Sequence, residues 1–387
     1  MNKVIAAVFV LLLLTQCKRG LRENIQQSDI STKPEQTYTP RWSTSFRIDY
    51  YSDHKEIVYL NNEHEIAYRY ILLKDQIEKT NRQNNDSPCT HISPPKSVVT
   101  TSSTYIAVLN ALGLLDYLKG VNEAPFICNK IVQQKIRKGE ITDLGGNEYF
   151  DLEKLIQLKP DIIFQSAYQS EGSVLQKKIR ATGIPIVLVR DYDEQHPLAR
   201  AEWMVYISAF FNAERSADSL FRVAETSYLH LRNQVHAMSR QRPLVFFNLP
   251  WNDVWYMPGK EAYMTQLIQD AGARHPWQNE ERTNSLNLSL DFERVYAQAA
   301  RADYWLHPNS AESKAEMVSA LPKAKLFSAF LKGNVYNNNR VRTAAGGNDF
   351  WENGVLFPHL LLKDLVSIFH PSITGNYQPE YYQQINQ

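Results

Sequence analysis

The sequence predicts an α/β protein with parallel sheets flanked by helices. In residues 151–158 the apolar side chains recur at helical spacing, so one face of this segment is expected to be buried. Pro160 ends the helix, and the apolar run Ile162, Ile163 and Phe164 is typical of a strand buried on both faces. Similar alternation recurs on both sides of residues 196–240, which predicts two lobes.

The other elements of the first lobe follow the same alternation. Ser102 is suited to cap a helix that ends at Gly113. The predicted strands are residues 97–101, 120–121 and 185–190, and the predicted helices are residues 105–112 and Val174–Ala181.

The second lobe and the segment between the lobes are assigned in the same way. Two consecutive amphipathic helices are predicted over residues 197–211 and 214–236, separated at Asn212. The second lobe has predicted strands at 244–247, 304–306 and 335–336, and predicted helices at 261–271, 314–320, 325–330 and 356–369.

Residues 42–94 carry a different pattern. Residues 46–50, 57–60 and 67–72 alternate between apolar and polar side chains, which predicts three antiparallel strands. Residues 81–95 are rich in Asn, Asp, Ser and Pro and are expected to form a loop. These strands are interpreted as an extension of the first lobe.

Composition limits the function. The chain has 387 residues, 43% of them hydrophobic, which is enough for two lobes with cores. Its 42 Lys and Arg nearly balance its 41 Asp and Glu, so no basic excess indicates nucleic-acid binding.

The N-terminus predicts the compartment. An apolar run over residues 4–14 follows Lys3, and is too short to span a bilayer core of about 30 Å. It fits a signal peptide. The residues before Cys17 resemble a bacterial lipobox, whose Cys is lipidated; the alternative is an ordinary cleaved signal. Localisation in the periplasm with a membrane-held lipid anchor is therefore expected.

Several motifs in order resemble the class III periplasmic binding proteins, the helical-backbone receptors of ABC importers for ferric siderophores, haem and vitamin B12. The matching pieces are residues 98–103, 111–113, 120–121, 143–145 and 152–163 in the first lobe, and 255–259, 267–272 and 290–293 in the second. The resemblance covers roughly residues 95–371. It implies a long rigid helix between the lobes, a monomer, and delivery of a small-molecule metal chelate to an ABC permease with its ATPase. It also implies that Glu153 and Glu293 dock the lobes onto the permease.

The topology predicts where the ligand binds. Open parallel sheets bind ligands beyond the carboxyl ends of their strands. Aromatic rings offer apolar contact there, and Arg pairs with anionic oxygens of a chelate. The predicted ligand-binding residues are Ser103, Tyr105, Tyr168, Arg190, Tyr192, Trp251, Trp255, Tyr263, Asn309, Arg340, Asn348 and Trp351.

Motifs of enzyme chemistry are absent from the sequence, including a Gly-x-Ser-x-Gly elbow, a Walker A loop and His-Glu-x-x-His. His196, His275 and His307 lie near predicted element ends, where they serve either as metal ligands or as ordinary loop and capping residues. We favour the latter and expect no metal site, cofactor or catalytic residue. A siderophore receptor is the leading interpretation, with haem or corrinoid next; an enzyme or chelatase on this scaffold and a non-transport accessory lipoprotein are alternatives.

The predicted organisation has five parts. The parts are a signal peptide with its lipobox Cys (1–17), a tether (18–41), a first lobe with its β extension (42–195), connecting helices (196–240) and a second lobe (241–387).

Cys89 and Cys128 are the remaining cysteines, and an oxidising compartment favours a disulfide between them over two free thiols.

Overall fold

The computed structural model describes residues 33–61, 63–73, 89–146, 149–167, 174–238, 241–279 and 286–386. The signal peptide and most of the predicted tether lie outside the described residues. The first sheet has the strand order β1-β2-β3-β4-β5. Its strands are β1 Gln36–Tyr38, β2 Phe46–Tyr50, β3 His54–Leu60, β4 Ile66–Leu73 and β5 Cys89–Ile92. Strands β2, β3 and β4 pair antiparallel, which confirms the predicted β extension.

Two boundaries of this extension differ from the sequence prediction. Strand β1 falls inside the predicted tether, where Thr37 pairs with Asp49 of β2 and donates a 2.7 Å hydrogen bond to its carboxylate. Strand β5 falls inside the predicted loop 81–95 and pairs parallel with β4. Both strands are short, and they form by adding backbone hydrogen bonds to a sheet edge rather than by their own hydrophobic pattern.

A parallel sheet forms the core of the first lobe, with the strand order β10-β9-β6-β7-β8. Ile162, Ile163 and Phe164 of strand β9, which lies between β10 and β6, are fully buried, as the apolar run predicted. The strands are β6 Val98–Thr100, β7 Leu118–Val121, β8 Thr142–Asp143, β9 Ile162–Ser166 and β10 Ile186–Val189.

Helices accompany this sheet. Ser102 caps the first helix by accepting a hydrogen bond from the Thr104 amide, and Asp151 caps the third by accepting one from the Lys154 amide. The second helix was not predicted; Asn129 caps it. The helices are α1 Ser103–Ala111, α2 Lys130–Arg137, α3 Leu152–Leu158 and α4 Val174–Ala181.

Two helices connect the lobes, as the sequence pattern predicted. They are α5 Pro197–Ala209 and α6 Glu214–Met238, and Asn212 takes a left-handed φ of 56° between them. The single joining helix that the family resemblance implied is therefore divided at Asn212, although α6 alone runs for 25 residues. Glu202 of α5 is fully buried and accepts hydrogen bonds from the backbone amides of residues 41–43, which fixes the chain just after β1.

The second lobe is built around a sheet with the order β11-β14-β15-β16, in which β16 alone runs antiparallel to its neighbour. A separate antiparallel pair, β12 with β13, was not predicted. The strands are β11 Val245–Phe247, β12 Trp255–Pro258, β13 Asn287–Leu290, β14 Tyr304–Leu306, β15 Val335–Asn337 and β16 Gln383–Gln384.

An aromatic cluster of Phe246, Trp255, Trp305 and Phe327 fills the core of this lobe, with ring centroids between 4.7 and 6.1 Å apart. Residues Glu35–Gln387 form one compact unit. Within the described residues, every helix is too short or too polar to cross a membrane. The helices of the second lobe are α7 Tyr263–Asp270, α8 Phe292–Ala299, α9 Lys314–Ala320, α10 Ser328–Lys332, α11 Pro358–Phe369 and α12 Pro371–Thr374, and a π-helical turn spans Phe350–Gly354.

Candidate functional site

The two lobes meet along residues 343–356 of the second lobe, which we call the closing segment. Thr104 of α1 donates a 2.8 Å hydrogen bond from Oγ1 to the carbonyl of Trp351. The amide of Cys128 donates a 2.6 Å hydrogen bond to Glu352 Oε2. Gly347 lies so close to the first lobe that an added Cβ would overlap the carbonyl oxygen of Phe126. Only glycine fits there, so the close approach is built into the sequence.

A small cavity lies under the closing segment, at the carboxyl edge of the first parallel sheet. Thr104 and Tyr105 follow β6 and Asp191 follows β10, so the strand ends converge here as the topology predicted. Tyr105 is 1% exposed, and burial with the nearby Asp191 carboxylate raises its pKa well above the usual value. Even with the open space at its mouth, the cavity holds only about 240 Å³. Sites for drug-sized ligands usually hold roughly 300–1,000 Å³.

Arg200 is the charged group at the centre of this site. Its Nε lies 3.2 Å from Asp191 Oδ2, and both side chains are largely buried. The guanidinium also lies over two rings, 5.0 Å from the centroid of Tyr263 and 5.9 Å from that of Trp351. Such stacking is favourable for a desolvated cation. The arrangement places one cation and two aromatic rings, drawn from α5, α7 and the closing segment, around the same space.

Arg200 and its partner Asp191 were not among the predicted ligand-binding residues, although Asp191 lies between the predicted Arg190 and Tyr192. Residues 197–211 were predicted to form an amphipathic connecting helix, and Arg200 and Glu202 are the two charged residues of α5. Charged residues are rarely buried unless they are paired. Two charges inside a helix that is otherwise apolar are the signal that marks such positions.

Several predicted ligand-binding residues do lie at or beside the cavity. Tyr105 lines the cavity, and Tyr263 packs edge-on against Trp351 with ring centroids 6.4 Å apart. Ser103 precedes Thr104 at the start of α1. The Asn348 side chain accepts a hydrogen bond from the Phe350 amide and so shapes the closing segment itself.

Other predicted residues have structural partners. Trp255 is a correction, because its side chain is fully buried in the second-lobe core and donates from Nε1 to the Phe247 carbonyl at 2.8 Å. The Arg190 guanidinium is held by Asp193, with nitrogen–oxygen distances of 2.6 and 2.7 Å. The amide group of Asn309 pairs with both the N–H and the carbonyl of Leu249.

The remaining predicted positions divide by exposure. Trp251 is 64% exposed, Arg340 is exposed, and Tyr192 is half-buried beside Asp191. Tyr168 lies outside the described residues.

The predicted docking residues Glu153 and Glu293 occupy matching positions in the two lobes. Glu153 is the second residue of α3 and Glu293 the second residue of α8, and both are exposed. Asp151 and Asp291 are the respective helix caps, and each accepts a hydrogen bond from the amide three residues on. Each lobe therefore presents a carboxylate at a helix start, where the helix dipole favours negative charge.

The predicted disulfide is a correction. Cys89 and Cys128 are both free thiols. Cys89 lies in the β extension on β5, whereas Cys128 precedes α2 and faces Glu352 of the closing segment. Cys17 lies outside the described residues.

The three singled-out histidines have structural roles. His196 caps α5 by accepting a hydrogen bond from the Leu198 amide. His275 is 2% exposed, and its Nδ1 accepts a hydrogen bond from the Trp277 amide. His307 lies 2.7 Å from the Tyr382 hydroxyl, and burial lowers the pKa of its ring to about 3. Neutral, hydrogen-bonded rings of this kind are ordinary buried histidines.

Comparison with known proteins supports this architecture. The profile of the family described as periplasmic binding protein matches residues 98–339. An uncharacterised lipoprotein of Methanocaldococcus jannaschii is 24% identical over 303 residues, which cover 76% of this chain and 69% of that protein.

Two solved structures are similar in fold. A periplasmic haem-binding protein from Pseudomonas aeruginosa has a TM-score of 0.58 and 15% identity, with 76% of this chain and 99% of that chain covered. A possible iron-binding (periplasmic solute-binding) protein from Staphylococcus epidermidis has a TM-score of 0.56 and 17% identity, with 72% and 99% covered.

Two lobes, each built around a mainly parallel sheet, match the periplasmic binding protein fold. The chain belongs to the periplasmic binding protein family, the substrate-binding components of ABC importers. The predicted resemblance is thus confirmed at the level of the family and the fold.

Proposed function

We propose that this protein captures an iron-bearing ligand between its lobes and delivers it to an ABC permease. The observation that carries the proposal is the group formed by Arg200, Tyr263 and Trp351 at the lobe junction of a periplasmic binding protein. Flat rings suit the face of a macrocycle or catecholate, and a guanidinium suits carboxylate or catecholate oxygens.

The ligand class is a ferric siderophore, with haem or a corrinoid as the alternative. Two proteins of similar fold are described as haem-binding and as possibly iron-binding, which favours iron over other cargo. An anionic ferric chelate would use the charge of Arg200, whereas haem would use chiefly the two rings. Exposed residues Trp251 and Arg340 remain proposed contacts for the parts of a ligand that extend from the cleft.

Binding requires the closing segment to separate from α1. The cavity of about 240 Å³ is too small for any of these ligands, and its roof is held by the Thr104–Trp351 hydrogen bond. One neutral hydrogen bond contributes only about 0.5–1.5 kcal/mol net, which ligand contacts can offset. The contacts described above therefore correspond to a closed form in this account.

The identity of the ligand is tested by absorbance. The chain is purified natively from its own host, and its visible spectrum is compared with spectra after addition of haem, a ferric catecholate and cobalamin. One of the three should bind with 1:1 stoichiometry and a shifted absorption band. If the chain binds none of the three ligands and also fails to restore import in a deletion strain, the accessory-lipoprotein alternative is favoured.

The proposed location is the periplasm, with the chain anchored through a lipid on Cys17. The lipobox-like sequence and the lipoprotein relative support it. Cys17→Ser should move the protein from the membrane fraction to the soluble periplasmic fraction. Retention of the variant in the membrane, processed like the wild type, would contradict the anchor.

A further inference from the structure

Three side chains that can ligate a metal ion, one thiol and two carboxylates, meet where the closing segment contacts the first lobe. Cys128 comes from the first lobe, between β7 and α2, whereas Asp349 and Glu352 come from the closing segment of the second lobe. One ligand atom from each residue, a sulfur and two carboxylate oxygens, lies within 4.8 Å of the others. None of the three residues lines the ligand cavity described above.

Glu352 is unusual within this cluster. The residue is fully buried, and its Oε2 accepts the hydrogen bond from the Cys128 amide. Its Oε1 is buried too and has no hydrogen-bond partner among the described residues. A buried carboxylate oxygen without a partner carries a desolvation cost of several kcal/mol in its charged form. A hydrogen-bond donor or a cation is therefore expected beside Glu352 Oε1.

The three ligand atoms lie close enough together for one cation to contact all of them. A divalent cation at that point would favour the ionised form of each ligand around it.

We propose that Cys128 Sγ, an Asp349 carboxylate oxygen and Glu352 Oε1 bind one divalent cation, with Zn²⁺ preferred, and that this cation clamps the two lobes together. A thiolate with two carboxylates suits Zn²⁺ better than Mg²⁺ or Ca²⁺, which select oxygen ligands alone. Zinc bonds of about 2.0–2.3 Å place ligand atoms about 3.5 Å apart. Side-chain rotations that move each ligand atom by about 1 Å would bring the three atoms to that spacing. A water completes a four-coordinate site.

The cation site is separate from the cargo site. The Asp349 carboxylate also accepts a 2.5 Å hydrogen bond from the Asn353 side chain, and a hydrogen bond of this kind fixes the orientation of a metal ligand. Because the ligands come from both sides of the lobe junction, bound Zn²⁺ would stabilise the closed contact of the closing segment. It would also compete with any ligand that needs the lobes apart.

The test uses the full-length chain, purified in detergent, stripped with chelator and titrated with ZnCl₂ by calorimetry. The wild type should bind one Zn²⁺ per chain, and Cys128→Ser and Glu352→Gln should each weaken binding at least tenfold. Cys89→Ser is the matched control, since it removes the other free thiol of the described residues, and it should bind like the wild type. Equal binding by the Cys128→Ser, Glu352→Gln and wild-type proteins would overturn the proposal.

A second measurement avoids variants that fold poorly. Co²⁺ bound to the stripped wild type should give a thiolate-to-metal absorption band in the near ultraviolet, and Zn²⁺ should slow alkylation of Cys128 by iodoacetamide without protecting Cys89. A Co²⁺ complex that lacks this band, or alkylation of Cys128 at the same rate with and without Zn²⁺, would contradict ligation by Cys128. Both readouts are independent of iron-ligand binding.

Discussion

Thr104 and Trp351 join the two lobes directly, because the Thr104 hydroxyl donates a hydrogen bond to the main-chain carbonyl of Trp351 at 2.8 Å. Thr104 stands at the start of a first-lobe helix, and Trp351 belongs to the π-helical turn of the closing segment. Thr104 and Arg200 both line the cavity described above. The closed contact and the proposed ligand contacts thus share the same residues, which links ligand release to separation of the lobes.

Arg200→Gln should weaken binding of an anionic ferric chelate by about 1.5–3 kcal/mol, the range for a hydrogen bond to a charged group. Arg222→Gln is the matched control, since Arg222 pairs with Asp218 on the exposed face of α6. Equilibrium titration measures the affinity of both variants.

Loss of Arg200 also leaves Asp191 buried without its partner, which by itself destabilises the fold. The double variant Asp191→Asn with Arg200→Gln should recover stability but not affinity. Recovery of full affinity in the double variant would show that Arg200 acts on the fold and not on the ligand.

Glu153→Arg combined with Glu293→Arg should abolish import while ligand affinity in solution stays unchanged. Both carboxylates are exposed at equivalent helix starts, and rim charges govern encounter and register more than raw affinity. Uptake of labelled ligand by whole cells is the measurement. Glu316→Arg is the control, since Glu316 is exposed near the start of α9. Normal import by the Glu153/Glu293 double variant would exclude the docking role.

Glu202→Ala should lower the free energy of unfolding by about 3 kcal/mol or more. Glu202 accepts hydrogen bonds from the backbone amides of residues 41–43, and each buried donor left without a partner costs roughly 1–3 kcal/mol. Glu225→Ala is the matched control, because Glu225 contacts Arg41 and Trp42 through their side chains only and should cost less. Chemical denaturation separates the two, and an equal loss in both variants would contradict the backbone-anchoring role.

The fold should lose stability as pH falls below about 6.5, partly through His307. Burial lowers the folded-state pKa of His307 to about 3, whereas the unfolded chain takes up the proton near 6.5. The unfolded state therefore binds more protons in this window, and His307 contributes about 1.3 kcal/mol less stability at pH 5.5 than at pH 7.5. His307→Asn should reduce the difference in unfolding free energy between these two pH values by that amount. An unchanged difference would place the pH dependence on other groups.

Most of the fold could be predicted from the sequence, because apolar runs, proline stops and helix caps mark the helices and strands locally. The apolar run at 162–164, the Pro160 stop and the Ser102 cap each predict an element that is present. Strands β1, β5, β8, β12, β13 and β16 were not predicted, because the pairing of such short strands is set by distant partners. Trp255, for example, pairs with Leu290 across more than thirty intervening residues.

The site was harder to predict, because the hydrophobic periodicity that identifies a strand or helix does not show which distant side chains will contact one another. Trp255 looked like a ligand contact and packs in the core, and Arg190 is held by Asp193. Arg200 looked like one charge on a connecting helix and lies under the closing segment. Glu352 is the sharpest case, since its significance arises from meeting Cys128, which is 224 positions away in the sequence.

The central claim, capture of an iron-bearing ligand between the lobes, is tested most directly by titrating the wild type and Trp351→Ala with haem and with a ferric catecholate. Trp351 supplies a ring to the cleft and is 40% exposed, so its truncation should leave the fold intact. We expect 1:1 binding of one of these ligands by the wild type and at least tenfold weaker binding by Trp351→Ala. Equal affinity of the two proteins for that ligand would place the binding site outside the cleft and contradict the account.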